Sequence, residues 1–194
     1  MKQNNVKIAI TGGIGSGKSA FAKIIKQLGY PVFSCDEIYK TLQTQSKYLS
    51  RIRQQFGDQA VLNGKLNKEY LSSLVFSDQE QLKKLNELAH PLIMKRLDEE
   101  MSKYPLSFAE VPLLFEIHAE KQFDHIVIVT RDEKARLFAV MARDGLTAEQ
   151  VLQRMKNQID YQEKLKMGYT VIDNDGDMES LKCKAVTFLR EIQK

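Results

Sequence analysis

The sequence is poor in the residues that build disulfide scaffolds and metal centres. Its two cysteines, Cys35 and Cys183, lie far apart and outside any Cys-x-x-Cys spacing, so a disulfide framework and a cysteine zinc site are both excluded. Two reduced intracellular thiols are the expectation. Three histidines without HxxxH or HExxH spacing leave no histidine metal centre. No Pro/Gly/Ser-rich linker, internal repeat or low-complexity tract divides the chain. No apolar run is long enough for a spanning helix, and Met1–Asn5 leads into only a short strand-like segment, unlike a signal peptide. The expectation is a cytoplasmic protein that engages no membrane. The net charge of +4 and pI near 8.9 fall short of the clustered charge of a nucleic-acid binder. No basic stripe with interleaved aromatics is present either. A small anionic substrate suits this balance better.

What is present is an ordinary globular composition, 43% hydrophobic and 28% charged, over 194 residues. That length suits one domain, or one domain with insertions. Val6–Thr11 reads as a buried strand, followed by a Gly-rich turn. A helix then carries Phe21, Ile24, Ile25 and Leu28 on one face, and Gly29 stops it. Pro31–Ser34, Phe108–Leu114, Phe123–Thr130 and Thr170–Ile172 read as further strands. Ser77-Asp78-Gln79-Glu80 and Thr147-Ala148-Glu149-Gln150 read as capping boxes. Leu82, Leu85 and Leu88 lead to His90-Pro91, where the proline should kink or end its helix. A last helix carries Met178, Leu181, Ala185, Phe188 and Ile192. Strands alternating with helices predict an α/β fold with a parallel sheet covered on both faces. The stretch from about Tyr39 to Tyr104 reads as almost wholly helical, an insertion. Asp132–Gln162 is a second helical excursion, rich in arginine and lysine.

Gly12-Gly13-Ile14-Gly15-Ser16-Gly17-Lys18-Ser19 matches G-x-x-x-x-G-K-[ST] between a strand and a helix, the context that confirms a P-loop. Glycines let backbone N–H groups wrap phosphates, and the helix N-terminus adds a positive dipole end. Lys18 is placed to reach the β/γ oxygens of ATP, and the Ser19 hydroxyl to ligate Mg2+. No Asn-Lys-x-Asp guanine signature follows, which argues against a GTPase. Asp36, 18 residues after Lys18, lies just past the second strand. Ligands bind outside strand C-termini in open α/β sheets, so Asp36 is the candidate to orient an acceptor hydroxyl. Its alternative role is an N-cap, and Glu37 competes as the acceptor carboxylate. Glu110 and Glu116 flank Val111–Phe115 and are equal candidates to support Mg2+.

The chain resembles the dephospho-coenzyme A kinase family from about Ile8 to Gly176. The resemblance rests on Thr11–Ser19, Asp36-Glu37-Ile38, Phe76-Ser77-Asp78 and His90-Pro91-Leu92-Ile93. Pro112-Leu113-Leu114-Phe115-Glu116, Arg143-Asp144-Gly145-Leu146-Thr147, Gln158 and Ile172-Asp173-Asn174-Asp175-Gly176 complete it. It implies a P-loop three-layer fold with a five-stranded parallel sheet. The core would span about 1–38, 105–131 and 165–194, with a helical substrate-binding insertion at 39–104 and a lid at 132–164. It implies ATP-dependent phosphorylation of the ribose 3′-hydroxyl of dephospho-CoA, the last step of coenzyme A synthesis, by a monomer. Asp36, Lys18 and Arg143 would be catalytic. Gly13, Ile14, Gly15, Ser16, Gly17, Lys18, Ser19, Ala20, Arg143 and Asn174 would contact ATP, and Asp36, His90, Lys68 and Arg136 the acceptor. Several positions depart from the family pattern. Ser34-Cys35-Asp36 keeps only the second of two usual carboxylates, Lys40 replaces an arginine, Ala20 a threonine and Tyr169 an aspartate. The lid's usual Gln-x-x-Arg is Arg136-Leu137-Phe138-Ala139, so an arginine is lost at 139 and another stands a turn away at 136.

Plainer roles compete at several positions. Arg136, Arg143, Arg154 and Lys164 could form a solvated basic helix face instead of a phosphate clamp. Lys65 and Lys68 could be solvated too, and His90 could be a helix-end histidine satisfied by backbone. A nucleotide kinase, or a regulatory P-loop module without transfer activity, are the rival functions.

Overall fold

The computed structural model describes residues 5–156, 158 and 165–193. The chain forms two compact units, Met1–Phe33 with Met101–Lys194, and Ser34–Glu100.

The first unit is built on a five-stranded sheet. β1 (Val6–Thr11) sits in its middle, buried from Ile8 to Thr11. β2 (Val32–Ser34), β5 (Leu106–Glu110), β6 (His125–Thr130) and β7 (Thr170–Asp173) complete the order β2-β5-β1-β6-β7. β1 runs parallel to β5, with Ile8 opposite Phe108, and parallel to β6, with Ile10 opposite Val127. β6 runs parallel to β7. The continuous apolar text of β1 and β6 follows from their place inside a parallel sheet, where both faces are covered. α1 (Lys18–Gln27) buries Phe21, Ile24 and Ile25 against it, and α8 (Met178–Ile192) adds Leu181, Ala185 and Phe188 to the same core. Leu28, which shares the α1 spacing, is instead 36% exposed, because the helix has ended by then. Gly29, at φ +94°, turns the chain there, and its N–H donates to Lys26 O.

The run Phe108–Leu114 is not one strand. β5 stops at Glu110, and a turn follows through Pro112, which has no N–H for a ladder. Leu114 and Phe115 are apolar because they drop from that turn into the core. β6 likewise begins at His125, two residues later than the apolar run suggests.

The second unit comprises α2 (Cys35–Leu42), α3 (Ser46–Phe56), α4 (Lys68–Ser77) and α5 (Gln79–Met101), whose last residue belongs to the first unit. Tyr48, Ile52, Leu71, Ala89 and Ile93 form its core. The reading of this stretch as almost wholly helical is corrected by a small hairpin, β3 (Val61–Leu62) and β4 (Lys65–Leu66). Asn63-Gly64 turns it with φ of 50° and 71°, the left-handed pair that two-residue hairpins favour. Pro91 does not end its helix: α5 runs through it, and the buried residues Ala89, Ile93, Met94 and Leu97 offset the lost hydrogen bond. Consequently His90 is a mid-helix residue. The capping position before α5 is Asp78, whose carboxylate accepts from Glu80 N at 2.8 Å. Ser77 closes α4 instead, its hydroxyl donating to Ser73 O.

Two further helices of the first unit carry the arginine-rich segment. α6 (Glu133–Asp144) is N-capped by Asp132 and closed by Gly145. α7 (Ala148–Lys156) opens on a reciprocal capping box, Thr147 N to Gln150 Oε1 at 2.9 Å and Gln150 N to Thr147 Oγ1 at 3.3 Å.

Candidate active site

The Gly-rich turn leaves the C-terminal end of β1 and enters α1. Gly17 occupies the N-cap with φ +94° and has no side chain to satisfy the first-turn N–H groups. α1 has no acidic residue in that turn, so its positive end is left for an anion. Lys18 opens the helix, only 9% exposed, with Nζ donating to Gly12 O at 2.8 Å and Gly13 O at 3.1 Å. Its stem is thereby held inside the loop and its charge concentrated there. Ser16, 1% exposed, closes the turn through its N–H to Gly13 O. Ala20 packs against the sheet core one residue beyond Ser19.

Ser19 Oγ donates to Glu110 Oε1 at 2.6 Å. β5 ends at Glu110 beside the end of β1, which is why residues 91 positions apart meet. Of the two flanking carboxylates, then, Glu110 is the one on the P-loop serine. A hydroxyl and a carboxylate are hard oxygen donors of the kind Mg2+ takes. Among the described residues no group of three or more His, Cys, Asp or Glu side chains is arranged to hold a metal ion by itself. The Ser19–Glu110 pair fits such an ion by the chemistry of its two oxygen donors.

The loop is gripped from β7 and from α6. Asn174 Nδ2 donates to Ser16 O at 2.9 Å, and Asn174 N to Thr130 O. A β-carbon on Gly17 would collide with that carboxamide, so Gly17 answers to two demands at once, φ and space. Arg136 Nε donates to Ile14 O at 2.9 Å, and Gln158 Oε1 accepts from Ile14 N at 2.6 Å. Both contacts join residues more than 120 positions apart in sequence. Gln158 belongs to the motif set, but no spacing assigns it to the loop.

Arg136 and Arg143 share α6, two turns apart, yet the structure places them differently. Arg136 is on the loop. Arg143 is 62% exposed and makes a two-point pair with its neighbour Asp144, Nε to Oδ1 at 2.7 Å and Nη2 to Oδ2 at 3.0 Å. Arg154 joins the same carboxylate at 3.4 Å. The hydrogen bonds from Arg143 hold the Asp144 carboxyl below the usual carboxylate range. Lys164 lies outside the described residues. Tyr169 stacks near Phe115, ring centroids 5.6 Å apart.

Within the second unit, Asp36 is exposed in the first turn of α2, and Glu37 beside it is exposed too. Ser34 fills the N-cap, its hydroxyl accepting from Glu37 N, so Asp36 is not spent on capping. Lys40 is exposed in the last turn of that helix. Lys68 opens α4, exposed, and Lys65 lies on β4. His90 is half-buried, and burial pushes its imidazole below the ordinary histidine value.

A family model described as dephospho-CoA kinase matches residues 6–180. The chain belongs to the dephospho-CoA kinase family. A dephospho-CoA kinase of Thermus thermophilus is 38% identical over 188 residues, covering 95% of this chain and 91% of that protein. A crystal structure of a Thermus thermophilus protein superposes with a TM-score of 0.83 at 37% identity, covering 97% of this chain and 98% of that one. The dephospho-CoA kinase of Campylobacter jejuni gives 0.71 at 29% identity, covering 99% and 98%. The five-stranded α/β fold with its P-loop is therefore that of a dephospho-CoA kinase family member, and the chain is a kinase.

Proposed function

We propose that this chain transfers the γ-phosphoryl group of ATP to the ribose 3′-hydroxyl of dephospho-CoA, giving coenzyme A and ADP. The observation that carries the reading is a P-loop with Lys18 and Ser19 in place, in a chain that matches the family over residues 6–180. The N–H groups of Gly13–Ala20 and the α1 N-terminus bind the phosphates, and Lys18 turns its charge from the loop carbonyls to the β/γ oxygens. Asn174 keeps the Ser16 end of the loop in shape.

Asp36 orients the acceptor hydroxyl. Its exposure and its freedom from capping support that role. The hydroxyl oxygen attacks the γ-phosphorus, the bond to the β–γ bridging oxygen breaks, and the hydroxyl proton passes to the Asp36 carboxylate. Ser19 would hold Mg2+, with Glu110 supporting it. Bound there, the ion supplies positive charge against the phosphate oxygens. Residues 39–104 serve as the substrate-binding region, with His90 and Lys68 as acceptor contacts, on a core of 1–38, 105–131 and 165–194. Residues 132–164 act as a lid that excludes water, with Arg143 reaching ATP by exchanging Asp144 for phosphate. The protein works as a monomer in the cytoplasm. Among the described residues no helix is long and apolar enough to cross a membrane.

Steady-state ADP release with and without dephospho-CoA tests the reading. Turnover should depend on dephospho-CoA. Turnover that ignores it and rises with a nucleoside monophosphate would assign the chain to nucleotide phosphorylation instead.

A further inference from the structure

The turn after β7 reaches two other parts of the first unit through two consecutive side chains. Asn174 Nδ2 donates to Ser16 O at 2.9 Å, on the phosphate loop. Asp175 Oδ1 accepts from Asp132 N at 2.6 Å, at the start of α6. The turn is itself held in shape. Asp175 N donates to Asp173 Oδ1 at 2.7 Å, and Lys184 Nζ of α8 donates to Asp173 O at 2.7 Å.

Asp175 stands in for a strand bond. β6 and β7 pair as far as Thr130 opposite Asp173, and Asn174 N still donates to Thr130 O. One more step of the parallel ladder would send Asp132 N to the carbonyl of Asn174. The Asp175 carboxylate takes that N–H instead, which ends the ladder and releases the chain into α6. A carboxylate suits the place twice over. It sits at the positive end of α6, and a charge-assisted bond is stronger than the amide–carbonyl bond it replaces. The Asp132 side chain is committed elsewhere, as the cap that accepts from Ala135 N at 3.0 Å.

From Asp132 the path to the phosphate loop is one helical turn. Asp132 O accepts from Arg136 N at 2.9 Å, and Arg136 Nε donates to Ile14 O at 2.9 Å. The Arg136 backbone also lies against Gly15, where a β-carbon would come within 2.7 Å of its carbonyl oxygen. α6 therefore rests on the tip of the loop, and Asp175 holds the residue from which that helix starts. Two adjacent residues thus hold one loop at two points: Asn174 holds Ser16 directly, and Asp175 holds the Ile14–Gly15 tip through α6.

We propose that Asp175 is a positioning residue for the donor nucleotide. Its carboxylate fixes where α6 sits on the phosphate loop, and so keeps the loop N–H groups aimed at the phosphates. This rests on the reading of the loop as the ATP site. Asp175 takes no part in the bond changes; it acts through Asp132 and the first turn of α6.

The test compares five full-length proteins: wild type, Asp175→Ala, Asp175→Asn, Arg136→Ala and the double variant Asp175→Ala with Arg136→Ala. Each is measured for ATP and ADP affinity by equilibrium binding and for dephospho-CoA KM. Asp175→Ala should weaken both nucleotides roughly tenfold, the worth of one charge-assisted hydrogen bond. Its dephospho-CoA KM should stay within about twofold, since the lost contact serves the donor side alone. Asp175→Asn should recover most of the affinity, because its amide oxygen still accepts from Asp132 N. On the Arg136→Ala background the Asp175→Ala change should cost clearly less, since part of its path to the loop is already gone. Nucleotide affinity unchanged in Asp175→Ala would overturn the proposal, as would an Asp175→Asn protein as weak as Asp175→Ala. So would losses that multiply in the double variant, or a dephospho-CoA KM that rises in step with the nucleotide Kd. If wild type itself fails to use dephospho-CoA, the acceptor is wrong, while the nucleotide affinities still decide the role of Asp175.

Discussion

Asp36 carries the most weight of any single residue, because it alone is assigned to the acceptor hydroxyl. It is exposed, and Ser34 rather than Asp36 caps its helix. Asp36→Asn should lower kcat by roughly 10²–10⁴-fold, the usual worth of a positioned acid or base. ATP affinity should stay within about twofold by equilibrium binding, since binding and transfer separate at this residue. A variant that keeps its kcat would pass the role to Glu37 or remove it altogether. Glu110 makes a different demand. It shares a 2.6 Å hydrogen bond with the Ser19 hydroxyl. Glu110→Gln should therefore raise the Mg2+ concentration needed for half-maximal turnover, with little change in dephospho-CoA KM. An unchanged Mg2+ titration would remove Glu110 from the metal site. At this scale the sequence was informative wherever one residue type performs the chemistry. Lys18 and Ser19 could be placed at the loop from spacing and local context, whereas the acceptor role of Asp36 rests on the proposal. Glu110 could not be ranked over Glu116, because only the register of β5 against β1 brings one of them to Ser19.

Among the elements, α6 and its closing turn are the parts most exposed to test. Gly145 ends α6 at φ +67°, with its N–H donating to Met141 O, and among the described residues, its chain neighbours aside, no atom lies within 4 Å of where its β-carbon would be. The cost of Gly145→Ala is thus conformational, about 1 kcal/mol. It should appear as a lower urea midpoint at unchanged m-value, and an unaltered midpoint would contradict the left-handed closure. Legibility differed from element to element for physical reasons. β1, α1 and α8 were plain because burial dictates their periodicity, and the Thr147 capping box because its hydrogen bonds are local. Val111–Leu114 misled because residues that drop from a turn into the core are as apolar as strand residues. The β3–β4 hairpin carried a usable signal in Asn63-Gly64, which helical expectation overrode. Of the two outcomes expected at Pro91, a kink or an end, the end did not occur, since tertiary burial along α5 outweighs one absent hydrogen bond. The grip of Arg136 and Gln158 on Ile14 left no local trace, being contacts across more than 120 residues.

For the molecule as a whole, stability carries a pH signature. Burial lowers the His90 pKa in the folded protein, so the unfolded chain binds the extra proton more readily. The contribution of neutral His90 is complete above the unfolded value near 6.5, and it is lost as pH falls from there through the lowered folded value. Urea unfolding of wild type should weaken between pH 7.5 and 5.5 by more than that of His90→Gln. Equal pH dependence in the two proteins would contradict a half-buried neutral imidazole. The central claim concerns what leaves the site. Purified protein is incubated with ATP, Mg2+ and dephospho-CoA, and the product is examined by phosphorus NMR for the position of the new phosphate. The account predicts one ADP per product molecule and a phosphomonoester on the ribose 3′-oxygen. ADP formed without that product, or a phosphate on any other oxygen, would contradict it.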